Sequence, residues 1–315
     1  MDKKLALGVD IGGTNTAFGL VDENGIVHFN DSLLTADYNN ASLLVDAIYN
    51  ILQKTKFNSM VMGVGIGAPN GNLFTGCIEF APNLTWKGTI PIAKMFSNRF
   101  NVASFLTNDA NAAAIGEKTY GAAKDLTDFV SITLGTGLGS GVVINNELIY
   151  GANGLAGEFG HVRTVNNGRD CACGRKGCLE TYASSTGIVR SIDLLASSNK
   201  KKSILNSISS PTPIDIFSSA EKGDQFSIEI IDFTAQKLGS ALADFACFSN
   251  PEAFILFGGI AQSGEDFRVK VQGYMEDELL SIYKSKIEIR LSKLHGDNAA
   301  ILGASSLVWS MTSGK

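Results

Sequence analysis

Three cysteines and a histidine carry the sharpest chemical signal in this chain. Cys171, Cys173 and Cys178 crowd into Cys171-Ala172-Cys173-Gly174-Arg175-Lys176-Gly177-Cys178, and His161 lies shortly before them. One imidazole and three thiolates fill a tetrahedral Zn²⁺ shell, leaving no open position, so such a metal is structural rather than hydrolytic. Gly174 and Gly177 let the backbone bring Cys178 round. A redox or unliganded thiol cluster is the competing reading, and His161 could instead be a packed core histidine. The chain has 5 Cys, an odd number that makes a poor disulfide framework. Cys77 and Cys247 stand alone and read as buried small hydrophobes.

A second signal is glycine. Asp10-Ile11-Gly12-Gly13-Thr14-Asn15 lacks the Gly-Lys-Ser/Thr ending of a P-loop. It leads into a strand rather than a helix, so it is not a dinucleotide fingerprint. Backbone amides in such a turn make an anion nest, and Asp10 beside it suits Mg²⁺ held through water. Val9-Asp10-Ile11-Gly12-Gly13-Thr14 is echoed by Ile132-Thr133-Leu134-Gly135-Thr136-Gly137. Each is followed by a strand, a polar turn and a short third strand. The repeat points to two related lobes, and two such turns could clamp a polyphosphate from both sides. Gly258-Gly259 could pass under a base or ribose, or could simply be a tight turn. Asn108-Asp109 stands where a strand meets a helix. Either residue could be an N-cap, and Asp109 could instead be a base that takes a hydroxyl proton.

These residues need a scaffold. Patterning predicts strands over 5–10, 16–21, 26–30, 61–66, 102–106, 129–134, 141–144, 253–257 and 287–291. It predicts helices over 41–53, 91–100, 108–118, 226–248 and 298–310. The stretch 197–210, with three Lys together, reads as a solvated loop or helix end. Alternating strands and helices argue an α/β fold.

The 315 residues suit two domains of ordinary size. Hydrophobic residues at 44% and charged residues at 18% exclude disorder for the bulk of the chain. The net charge of −5 disfavours a broad nucleic-acid footprint. No apolar run reaches the roughly 18 residues of a membrane span. Lys3 and Lys4 precede an apolar stretch that Asp10 cuts short, so it does not read as a signal peptide. The expectation is a soluble cytoplasmic protein.

Asp-Ile-Gly-Gly-Thr-Asn, Leu-Gly-Thr-Gly-Leu-Gly-Ser-Gly and the late Phe-Gly-Gly resemble the ATP-binding elements of the sugar-kinase/actin/Hsp70 fold. More narrowly, Gly157-Glu158-Phe159-Gly160-His161, followed by the cysteine run ending Cys178-Leu179-Glu180, resembles the ROK family (repressor, open reading frame, kinase). The likeness spans nearly the whole chain. It implies a two-lobe actin-like ATPase (duplicated ribonuclease H-like) fold with an interlobe cleft. The expected small lobe is 1–118 plus 298–315, and the large lobe, 119–297, carries the zinc loop.

The resemblance also implies an ATP-dependent hexose kinase, a glucokinase acting on the 6-hydroxyl of glucose. Fructose, mannose, N-acetylglucosamine and N-acetylmannosamine are alternative substrates. By resemblance Asp109 is the base, and Asn83, Asn108, Glu158, His161 and Glu180 hold the sugar. Asp10, Gly12, Gly13, Thr14, Asn15, Thr133, Gly135, Thr136, Gly137, Gly258 and Gly259 hold ATP and Mg²⁺. His161, Cys171, Cys173 and Cys178 hold Zn²⁺. Trp86 reads as core packing. A homo-oligomer, dimer or tetramer, is expected, with no nucleic-acid or membrane partner. The competing class is a sugar-sensing regulator or a non-catalytic sugar-binding protein. Regulators add a DNA-binding module in front, for which the stretch before Leu5 leaves no room. One departure stands out: family members usually carry Gly-x-Pro-Gly where this chain has Gly67-Ala68-Pro69-Asn70. Asn tolerates left-handed backbone, so the turn is expected to survive.

Overall fold

A computed structural model describes residues 4–294 and 298–312. Residues 1–3, 295–297 and 313–315 lie outside the described residues. The chain divides into two compact units. The first comprises Met1–Asp125, Leu148–Ala156 and Lys293–Lys315, the second Leu126–Glu147 and Gly157–Ser292. The short return of Leu148–Ala156 to the first unit has no signal in the sequence. Side chains tether it there: Asn72 Nδ2 donates to the Asn153 carbonyl at 2.9 Å, and the Phe74 and Tyr150 rings lie 6.0 Å apart.

The first unit opens with an antiparallel meander, β1 (Leu5–Ile11), β2 (Asn15–Val21) and β3 (Val27–Leu34). Helix α1 (Ala41–Gln53) follows, capped by Asn40. It buries Leu44, Val45, Ile48 and Leu52, the spacing of one helical face. Strand β4 (Val61–Gly67) leads to a small sheet of β5 (Gly71–Asn72), β6 (Cys77–Glu79) and β7 (Thr89–Ile90). Then come α2 (Ile92–Phe100), β8 (Ala103–Thr107) and α3 (Asp109–Thr119), and the C-terminal helix Ala299–Thr312 packs on the same sheet. The main sheet runs β3-β2-β1-β4-β8, with β1, β4 and β8 parallel. Central strands covered on both faces read as unbroken apolar runs, which is why β1 is almost wholly buried. Register pairs Asp10 with Gly67 and Gly67 with Thr107, so one end of the sheet gathers the start of each functional segment.

The second unit repeats this plan. Its strands are β9 (Phe129–Leu134), β10 (Leu138–Ile144), β11 (Glu147–Leu148), β12 (Ala253–Phe257) and β13 (Glu288–Leu291). They run β11-β10-β9-β12-β13, the same order in the same topological roles, and β9 again pairs antiparallel with its successor and parallel with the later strand. The internal repeat of the sequence is therefore a repeat of structure. Helices α4 (Glu180–Ala183), α5 (Ser185–Leu194), α6 (Pro213–Glu221), α7 (Gln225–Ser249) and α8 (Glu265–Glu278) complete it.

Patterning placed no element at 185–194, 213–221 or 265–278. Helix α8 buries only Phe267, Val271 and Met275, a stripe too narrow to stand out. Helix α6 carries a Thr212/Asp215 capping box and Pro213 at its start. Strand β10 begins at Leu138, earlier than the predicted 141, so Gly139 belongs to the ladder and the glycine turn is only 135–137. The lysine-rich stretch forms two 3₁₀ turns, Ser198–Lys202 and Ile204–Ser207. No described helix is long and apolar enough to cross a membrane.

Candidate functional site

In the first unit two carboxylates meet at the end of the sheet. Asp10 is the penultimate residue of β1, and Asp109 is the first residue of α3. Gly67 lies between them: a Cβ there would stand 3.3 Å from Asp10 Oδ1 and 3.8 Å from Asp109 Cα. A side chain at 67 would crowd Asp10 and come into contact with Asp109. Burial, and then the Asp109 charge, push the Asp10 carboxyl up to about 7. Burial pushes Asp109 up as well, opposed by the Ala110 amide, which donates to Asp109 Oδ1 at 2.9 Å. Surrounding protein thins the bulk water near Asp109, yet solvent still reaches its side chain, which limits the size of the shift.

Asn108 is the N-cap of α3. Its Oδ1 accepts from the Asn111 amide at 2.7 Å, which leaves its NH₂ as a donor. The capping and chemical readings of Asn108-Asp109 thus fall to different groups of the pair. The Gly12-Gly13 turn is pinned by Thr35, whose hydroxyl donates to the Gly12 carbonyl at 2.8 Å and whose amide donates to the Thr14 carbonyl at 2.8 Å. The Asn15 carbonyl accepts from the Gly12 amide at 2.9 Å. Asn83 is drawn into this group: a Cβ on Gly13 would lie 2.5 Å from its carbonyl oxygen. Trp86 is buried, and its Nε1 donates to the Tyr38 carbonyl at 2.8 Å. It is core, as its sequence context suggested. Asn70 takes the expected left-handed backbone, φ 52°.

In the second unit the four proposed ligands converge. The ligand atoms of His161, Cys171, Cys173 and Cys178 all lie within 4.8 Å of one another. Cys173 Sγ and Cys178 Sγ are 3.7 Å apart, and Cys171 Sγ is 3.6 Å from His161 Nδ1. Two Zn–S bonds of about 2.3 Å at the tetrahedral angle span about 3.7 Å, so the donors fit zinc in type and spacing. Gly174 and Gly177 have φ of 85° and 75°, the left-handed backbone the loop requires. Burial pushes the Cys171 thiol up to about 12 and raises Cys178 too. Partial burial also acts on Cys173, but donation from the Arg175 amide and its sulfur neighbours outweigh it and lower that thiol. A metal here must displace protons to bind.

Glu180 joins this cluster to the glycine turn. Cys171 Sγ stands 3.6 Å from Glu180 Oε1, and the Leu138 amide donates to Glu180 Oε2 at 3.2 Å. The carboxylate fills the space a side chain on Gly137 would need. Thr133 supports the same turn by accepting from the Gly139 amide at 3.1 Å. Gly258 has φ 103° and packs on the Leu134 backbone next to Gly135, while Gly259 faces open space. Glu158 directly precedes the 3₁₀ turn Phe159–His161, and its carbonyl accepts from the His161 amide at 3.1 Å.

With this geometry in view, likeness to known proteins is informative. The ROK family profile matches residues 6–310. The chain belongs to the ROK family. It is 32% identical to a glucokinase of Halalkalibacterium halodurans, over 98% of this chain and 96% of the relative. It is 30% identical to a xylose repressor of Bacillus spizizenii, over 96% of this chain and 76% of that protein. A Streptomyces griseus ROK glucokinase, solved with glucose and AMPPNP, superposes with a TM-score of 0.80 at 34% identity, covering 96% of this chain and 98% of that one. The fold is the two-lobe actin-like fold of ROK sugar kinases, as the sequence resemblance implied.

Arg169 was missed by the sequence analysis. Its guanidinium donates to the carbonyls of Thr181 at 2.7 Å and Gly187 at 2.9 Å and to Ser191 Oγ at 3.0 Å. It also stacks over Tyr182, 4.5 Å from the ring centre. This ROK chain thus clamps its cysteine loop onto α4 and α5 through Arg169, and Arg190 of α5 adds a bond to the Asp170 carbonyl at 3.0 Å. Only the place of Arg169 two residues before Cys171 hinted at its role.

Proposed function

We propose that the protein is an ATP-dependent glucokinase that moves the γ-phosphoryl group of ATP to the 6-hydroxyl of glucose. One observation carries the reading: the Asp109 carboxylate is held at a helix start, with Gly67, which has no side chain, next to both it and Asp10. A kinase acting on an alcohol needs a carboxylate to orient the hydroxyl and take its proton as the phosphoryl group leaves. Asp109 fills that role. Asp10 holds Mg²⁺ through water, which relieves the cost of its own ionisation. The Gly13 amide and the amides of the 135–137 turn take phosphate oxygens.

Asn83, the NH₂ of Asn108, Glu158, His161 and Glu180 bind the remaining hydroxyls. His161 turns Nδ1 toward Cys171, which leaves Nε2 to meet a sugar oxygen. Zn²⁺, when bound, supplies a fixed anchor for the loop that carries these groups. A substrate pair of ATP and free hexose supports a cytoplasmic location.

The likeness to a xylose repressor favours a second reading, a sugar-binding protein without turnover. A coupled assay with ATP and glucose, mannose, fructose, N-acetylglucosamine and N-acetylmannosamine separates them. Glucose should give the highest kcat/KM. Sugar binding by calorimetry with no ADP formed would overturn the kinase reading.

A further inference from the structure

The Glu180 carboxylate sits where an anion belongs. Its Oε2 accepts from the Leu138 amide at 3.2 Å and lies against Gly137. Among the described residues the amides of Gly135, Thr136 and Gly137 have no acceptor. The carbonyls of the same turn are tied back: Gly135 O accepts from the Ser185 amide at 2.8 Å, and Thr136 O from Thr186 Oγ1 at 2.9 Å. A turn with its carbonyls secured and its amides left over is an anion nest. Here a side chain of the same unit sits at it. The carboxylate's other oxygen lies 3.6 Å from Cys171 Sγ, which places Glu180 between the cysteine cluster and the turn.

We propose that Glu180 is an internal competitor for this phosphate turn. The proposal rests on the kinase reading above, which supplies the sugar and nucleotide. Without sugar the carboxylate occupies the Leu138 amide and repels an incoming phosphate. Sugar hydroxyls offer the carboxylate other donors and draw it off, so the turn becomes free for the nucleotide. Sugar occupancy then sets nucleotide affinity, and by linkage the nucleotide raises sugar affinity by the same factor. The device needs no distant relay, because one side chain faces both partners.

The test is calorimetry with AMPPNP and Mg²⁺ on zinc-replete wild type, Glu180→Ala and Glu180→Gln, each with and without saturating glucose. Elemental analysis confirms equal zinc content. Glucose should tighten AMPPNP binding to wild type by about 5- to 50-fold, within the usual range of coupling between two ligands. Glu180→Ala should bind AMPPNP without glucose about as tightly as wild type does with it, while its own affinity for glucose falls. Glu180→Gln keeps the shape without the charge, so it should move the same way and serves if the alanine variant fails to fold. Sugar-free AMPPNP affinity in both folded variants equal to or weaker than that of wild type would overturn the proposal while leaving the kinase reading in place. A wild type that binds AMPPNP under neither condition would overturn both.

Discussion

The two units use one sheet order and place a glycine turn at the same point, between the first strand and the second. They differ in what faces that turn. In the repeat Asp10 corresponds to Thr133. Asp10 lies opposite Gly67 in register, and the missing side chain leaves space for a second carboxylate, Asp109. Thr133 lies opposite Phe257, and its hydroxyl accepts from the Gly139 amide. The second turn instead acquires its carboxylate from outside the repeat, from Glu180 behind the cysteine loop. A duplicated scaffold has thus been assigned two chemistries by single residues at strand ends: paired acids in one unit, and donors with a borrowed acid in the other.

The largest break in that comparison should come at the paired acids. Asp109→Asn keeps the shape and the hydrogen bond from Ala110 but removes the base, so kcat should fall by about 10²–10⁴. Glucose affinity by calorimetry should stay near wild type. A variant with near-normal kcat would remove Asp109 from the mechanism.

The next effect belongs to the cysteine loop. Cys173→Ser should abolish stoichiometric zinc, read by elemental analysis. It should also weaken glucose binding by at least the roughly 10–100-fold that damage around a metal typically costs. Because Glu180 touches both Cys171 and the glycine turn, nucleotide affinity should move too. Unchanged glucose and AMPPNP affinities in a zinc-free variant would make the metal a remote staple.

How much of this was legible beforehand follows the same division. The cysteine loop could be read because metal ligation needs fixed residue types at short spacing, and both strand–turn–strand units repeat along the chain. The three-dimensional duplication was visible in Gly12 and Gly135. What escaped was long-range and made of ordinary residues. Nothing in the sequence says that Glu180 reaches Leu138, that Arg169 binds three oxygens on α4 and α5, or that Leu148–Ala156 folds back through Asn72. Helix α8 escaped because its buried face is only three residues wide. Patterning reports faces that bury much apolar surface, and it is silent on polar contacts made across a fold.

A smaller effect separates the acids of the first unit from the neutral turn of the second. Asp10 is held at about 7 in the folded protein against its ordinary 3.8. The folded state therefore binds more protons than the unfolded state between those values, and stability falls as pH rises through that window. The stabilising contribution is complete below about 4 and gone above about 7. Its ceiling is about 4 kcal/mol, at 1.36 kcal/mol per unit, and solvent contact lowers it. Ligand-free Asp10→Asn lacks this dependence. Its Tm relative to wild type should rise steadily from pH 4 to pH 8, and Mg²⁺ with nucleotide should narrow the gap by stabilising only the wild type. A difference in Tm that is flat with pH would place the titration elsewhere.

The smallest expected effect lies at Asn70, where this chain departs from the usual family turn. Asn70 holds φ 52°, and its Nδ2 donates to the Glu79 carbonyl at 2.9 Å. Replacing it with Gly removes that bond, worth about 0.5–1.5 kcal/mol when well buried and less here on an exposed residue. Gly also relieves a left-handed cost of about 1–2 kcal/mol while adding about 0.5–1 kcal/mol of backbone entropy to be lost on folding. These terms nearly cancel, so Asn70→Gly should change stability by no more than about 0.5 kcal/mol, like an ordinary surface substitution. Asn70→Ala loses the bond and keeps the strain, so it should be the less stable of the two by chemical denaturation. If Asn70 only shapes the turn, both variants should keep the glucose KM. A rise in that KM for both, with Tm unchanged in the Gly variant, would instead make the Asn70 amide a direct contact to the sugar and extend the first unit's site beyond its paired acids.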